Sequence, residues 1–295
     1  MEELNNTGKL EQSELTEQVM MAEGYLMQGQ VDTAVELLSR LAEDVEEYVD
    51  RNCPTTDEVQ WFSFPTTFDR LAYRAVERDP RELRDIGEPL DRLYSDLGLA
   101  YVHQGDYNLA TEALKTAVRW NPMSCEDRLN LAELFRNDGD VQEYLALTYT
   151  VFDRASDPTC LVRAYLNFSE YFQAAEQPRL SAALLCAARR IDPEDSSLKA
   201  AIDQANGTER DLADISDEEE GKLLDEAGIP RGANPEVVVC LLQCALDARE
   251  LGDQNAETNY VLRARSLAGQ EMVQSLLEAL TAEDEDAGED ADGQA

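Results

Sequence analysis

Between Tyr94 and Pro122 the chain reads YSDLGLAYVHQGDYNLATEALKTAVRWNP, a pattern that closes on itself in one way: two amphipathic helices joined by a tight reversal. Leu97, Gly98 and Tyr101 fall at helical spacing, and the absent side chain of Gly98 lets a partner helix approach closely. Gly105 and Asp106 break the period and turn the chain. Tyr107, Ala110, Leu114 and Ala117 then recur at spacings of three and four, which predicts a second helix packed antiparallel on the first. Pro122 ends it, because proline lacks the amide donor and pushes Asn121 out of the helical region. Such a hairpin keeps an apolar face on each side, so it needs neighbours.

The order of aromatic, Leu-Gly, aromatic, Gly, Ala, Ala and Pro in this string resembles the tetratricopeptide repeat (TPR), whose period is about 34 residues. Further copies are visible at that spacing. Leu131 to Phe135 followed by Gly139-Asp140 repeats the first helix and its turn, with Tyr144 where a small alanine is usual. Tyr165, Phe168, Ser169 and Phe172, a degenerate turn at Glu176-Gln177-Pro178, then Leu185, Ala188 and Pro193 give a third unit. Ala22, Tyr25, Gly29, Ala34 and Leu38 give an N-terminal copy; Cys244, Ala245, Ala248 and Gly252-Asp253 give a weak C-terminal one. The resemblance implies an all-α, right-handed superhelical solenoid over residues 15–282, with units near 15–48, 53–90 (divergent), 91–124, 125–158, 162–195 and 238–268. A polar segment, 1–14, precedes it.

Within 53–90, Trp61-Phe62-Ser63-Phe64-Pro65 does not fit a first helix, since Pro65 would break it, and reads as an insertion packed on the solenoid. Phe68, Leu71, Ala72, Ala75 and Val76 read as a second helix. Together with Trp120-Asn121-Pro122 and Ala227-Gly228-Ile229-Pro230, this segment resembles a family of uncharacterised bacterial TPR proteins over roughly residues 18–280, a resemblance that implies no activity.

The 25 basic against 62 acidic side chains give a formal charge of −37, and no basic stripe is visible, which argues against a nucleic-acid partner. Part of the acid is local. Residues 283–295 hold seven carboxylates and no base, too little apolar surface to pack, and are expected to form a disordered acidic tail. Residues 209–226 are also acidic, but Ser216 and Glu219 form a capping-box pattern ahead of a short helix ending at Gly228. The remaining charge reads first as a solvated surface and second as an attraction for basic partners. No apolar run reaches membrane-spanning length, and the acidic N-terminus is unlike a signal peptide, so a cytoplasmic location is expected. Cys240 and Cys244 lie one turn apart in an apolar helix with no further Cys or His pair nearby, which reads as packing rather than as half a metal site.

The TPR resemblance implies that the first helices of successive units line a concave groove. Asn130, Asn167 and Gln243 occupy equivalent positions there, and their amides can pair with an extended peptide backbone; Arg136 and Arg163 share that side and could meet a carboxylate. His103, the only histidine, reads as an ordinary solvated residue. A chaperone-tail carboxylate clamp is incomplete, because Ser95 and Leu99 hold its first pair of sites and Asn167 replaces its last arginine. No phosphate-binding Gly-rich loop, nucleophile elbow or His-Glu-x-x-His pair is present. The expected function is therefore a non-catalytic scaffold or adaptor that binds a protein or peptide, without cofactor or metal. The alternative is an acidic holding chaperone for basic clients.

Overall fold

A computed structural model describes residues 13–204, 212 and 214–280. The acidic tail expected at 283–295, nearly all of the polar segment 1–14 and the start of the 209–226 segment lie outside the described residues. Apart from one pair of short strands the described chain is helical. It divides into two compact units, Met1–Asp69 with Asp79–Asp127, and Arg70–Arg78 with Arg128–Ala295.

The first unit contains two helix hairpins, α1 (Glu14–Met27) with α2 (Val31–Asn52) and α4 (Leu90–Gln104) with α5 (Tyr107–Trp120), with α2 packed on α4. Its core joins Val19 and Ala22 of α1, Leu38 and Leu41 of α2, Leu93, Leu97 and Ala100 of α4, and Ala113, Ala117 and Trp120 of α5. The close approach expected at Gly98 is present. A Cβ there would lie 2.8 Å from Leu114 Cγ and 3.6 Å from the Ala110 carbonyl, so α4 and α5 pack at a distance that only glycine permits.

The insertion carries the strands. β1 (Val59–Phe62) pairs in parallel with β2 (Glu82–Asp85), Trp61 opposite Arg84, whose guanidinium lies 5.6 Å from the indole centroid. In the chain they are separated by α3 (Thr67–Glu77), the helix expected around Phe68 to Val76. A strand was not expected here, because β2 reads Glu-Leu-Arg-Asp and only Leu83 is buried. Ser63 ties the strands to α4 and α5. Its amide donates to the Trp120 carbonyl at 3.0 Å, and its hydroxyl accepts from the amides of Leu90 and Asp91 at 3.0 and 3.3 Å. α4 begins after Pro89, which offers no capping side chain, so Ser63 caps it from 27 residues away.

The second unit runs through most of α6 (Cys125–Asp138), then α7 (Val141–Phe152), α8 (Pro158–Ala174), α9 (Pro178–Ile191), α10 (Ser196–Gln204), α11 (Asp217–Ala227), α12 (Pro235–Glu250), α13 (Gln254–Ala268) and α14 (residues 270–280). Phe152 meets Tyr165 edge-on at 4.9 Å between centroids and Phe168 at 6.0 Å, which ties α7 to α8. α9 is buried at every position from Leu180 to Ala188, with α8 and α11 against it. Half of the expected capping box is formed: Ser216 accepts from the Glu219 amide at 3.2 Å, while the Glu219 carboxylate pairs with Arg179, and Gly228 ends α11 at φ 68°. Cys240 and Cys244 are both buried in α12, and burial pushes the Cys240 thiol up to about 11.

Candidate functional site

All five residues expected to line a groove fall in the second unit, and three of them lie together on α6 and α8. Asn130, Glu133 and Arg136 recur every three residues along α6, which sets them on one face. On α8, Arg163 and Glu170 stand opposite. Arg163 Nη1 donates to Asn130 Oδ1 at 2.9 Å, and Arg136 Nη1 pairs with Glu170 Oε2 at 2.6 Å while its Nη2 pairs with Glu133 Oε2 at 2.7 Å.

The arginine is held from three sides. Burial works against its charge, but Glu133 and Glu170 outweigh it and hold the guanidinium above its ordinary value; it also lies 5.7 Å over the Tyr144 ring. Burial, with the same two carboxylates, pushes the Tyr144 phenol up to about 12. Tyr144 thus remains a neutral donor, and it gives its proton to the Asn167 carbonyl at 3.2 Å.

Asn167 is placed differently from its equivalents. It is 5% exposed, and its amide donates to Thr148 Oγ1 at 3.3 Å within the core between α7 and α8. The fully buried Thr148 supplies a polar partner inside the packing, and the Asn167 side-chain amide turns toward it while Tyr144 takes the Asn167 main-chain carbonyl. Gln243 is exposed and lines a separate shallow cavity of about 600 Å³ with Leu71, Arg74, Ala75 and Val239. The structure therefore gathers Asn130, Arg136 and Arg163 and sets Asn167 and Gln243 apart from them. His103 is exposed in the last turn of α4, in the first unit.

Sequence reasoning missed Glu133 and Glu170. The signal was present, since Glu133 lies three residues from both Asn130 and Arg136, and Glu170 lies 34 residues beyond Arg136. The resulting strip alternates charge and offers amide and guanidinium groups, chemistry suited to hydrogen bonding.

Among the described residues no helix is long and apolar enough to cross a membrane, and no cluster of three or more His, Cys, Asp or Glu side chains could hold a metal ion. No protein-family model matches the chain, and no curated protein matches it significantly.

Proposed function

We propose that the chain is a non-catalytic scaffold or adaptor of the TPR type, a right-handed superhelix of helix hairpins that works in the cytoplasm and binds an extended peptide of a partner protein along the polar strip of α6 and α8. The observation that carries this reading is the sequence offset of the contacts between first helices. Asn130 meets Arg163 at an offset of 33 residues and Arg136 meets Glu170 at 34, while in the first unit Ser95 donates to Asp127 at 2.6 Å with an offset of 32. Contacts at offsets of 32 to 34 residues, close to the TPR period, are what stacked repeats produce, and a peptide can exchange its own amides and carboxylates into such a strip.

The test is selection from a random peptide library on the purified protein. Peptides with a shared motif should be enriched, and Asn130→Ala with Arg163→Ala should weaken them about tenfold, the size of a charge-assisted hydrogen bond lost, with the helical circular dichroism unchanged. The alternative, a holder of basic clients, draws support from a cavity of about 460 Å³ in the first unit, where Glu14, Asp44 and Glu88 surround Leu15, Leu41 and Val45. Enrichment of basic peptides without a motif, equally bound by the double variant, would favour that holder and overturn the groove reading.

A further inference from the structure

The second unit contains a cleft that is unusual for so acidic a chain. It has a volume of about 730 Å³, within the range of small-ligand pockets, and three of its lining residues are Arg190, Arg231 and Arg265. The rest of the wall is largely apolar, including Ile191, Val238, Val239, Leu267, Met272 and Leu276 from α9, α12, α13 and α14.

The cationic side is built by buried polar structure. Glu220 of α11 is 4% exposed, and its Oε1 accepts from both Arg190 and Arg231, the latter at 3.3 Å. The loop that carries Arg231 is fixed in turn by Tyr165. The fully buried Tyr165 side chain donates its hydroxyl proton to the Pro230 carbonyl at 2.9 Å and accepts from the Gly232 amide at 2.7 Å. This gives the Ala227-Gly228-Ile229-Pro230 segment a local purpose: it delivers Arg231 to the cleft. One buried carboxylate cannot neutralise three guanidinium groups. Asp217 is 95% exposed and 4.0 Å from Arg231, Glu257 and Glu278 share a neighbouring cavity with Arg265 but Glu257 is paired with Arg249, and the Arg265 side chain makes no hydrogen bond or ion pair among the described residues.

We infer that this cleft is a binding site for an amphiphilic carboxylate, a hydrocarbon body with one anionic end. The apolar wall takes the body, and the guanidinium groups of Arg265 and Arg231 take the carboxylate, a geometry for which arginine is suited. The chain's own acidic segment 283–295 supplies anions but no large apolar residue, so it matches only half of the site. A fatty acid and the free C-terminus of a peptide ending in leucine share the required chemistry. This site is separate from the α6–α8 strip and does not depend on the peptide-binding reading.

The test is calorimetric titration of the full chain with decanoate and with decanol, and with a short peptide ending in Leu-Leu as free acid and as amide. At least one carboxylate should bind once per chain, about tenfold more tightly than its uncharged counterpart. The arm that binds identifies the source, fatty acid or peptide terminus. Arg265→Gln, a change at an exposed position, should lower that affinity about tenfold while the melting temperature stays put. The inference is overturned if neither carboxylate binds, if the uncharged forms bind as well, or if Arg265→Gln binds like the parent.

Discussion

Asp96 is a buried carboxylic acid whose chemistry departs far from that of a solvent-exposed aspartate. It lies in α4, its Oδ2 is buried without a hydrogen-bond partner, and burial, reinforced by the Glu23 carboxylate of α1, raises its pKa from the usual carboxylate range to about 7. Arg92 opposes the shift but is itself paired with Glu23. The folded state therefore holds this proton more tightly than the unfolded chain does. Stability from the protonated group is full below the unfolded value near 4 and is lost as pH rises through about 7. Asp96→Asn keeps the shape and removes the titration. Its melting temperature relative to the parent should climb, by on the order of 5 °C, between about pH 5 and about pH 8.5. A difference that is flat across that interval, measured by thermal circular dichroism, would show that Asp96 stays ionised in the folded chain.

At the scale of the element, the recurring device is the turn inside each hairpin. After α4, Gly105 takes φ 82° and the Asp106 amide reaches back to the Tyr101 carbonyl at 2.9 Å; the same bond closes at Asp140 to Phe135 and at Asp253 to Ala248. Asp106, Asp140 and Asp253 then each cap the following helix through the side chain. The α8–α9 turn keeps the backbone and loses the chemistry. Gln177 reaches the Phe172 carbonyl at 2.8 Å, but Glu176 is forced to φ 58°, and Gln177 makes no side-chain cap. A side chain in that left-handed region costs about 1–2 kcal/mol, of which glycine would return part as a freer unfolded chain. Glu176→Gly should therefore stabilise the protein by about 0.5–1 kcal/mol, and Gly105→Glu should destabilise it by at least as much. Denaturant unfolding measures both. A destabilising Glu176→Gly would mean that the glutamate side chain contributes something the turn geometry does not reveal.

For the whole molecule, the features legible in the sequence were those that depend on neighbours a few residues apart. The hairpins around Gly105, the close approach at Gly98 and the side-chain cap at Ser216 all follow from local spacing. Features set by distant partners were not legible. Ser63 caps a helix 27 residues on, Asn167 turns inward toward Thr148, and Arg190 shares Glu220 with Arg231 across two loops. The same contrast governs electrostatics. Local ion pairs such as Arg51 with Glu47 or Lys222 with Glu226 are exposed, and pairs of that kind contribute at most about 1 kcal/mol each. The 25 basic side chains cannot match 62 acidic ones, so the unpaired carboxylates repel one another throughout the folded chain. Added salt weakens both effects, and the repulsion is the larger because most acids have no base to pair with. Raising ionic strength from about 10 mM to about 0.5 M shortens the screening length from roughly 30 Å to a few ångströms and should raise the melting temperature near neutral pH by several degrees. Near pH 5 the rise should shrink, because part of the carboxylate population begins to take up protons as the solution approaches the isoelectric point of about 4.1. If salt instead lowered the melting temperature at neutral pH, the exposed ion pairs would outweigh the net charge, and the acidic surface would have to be arranged to favour them.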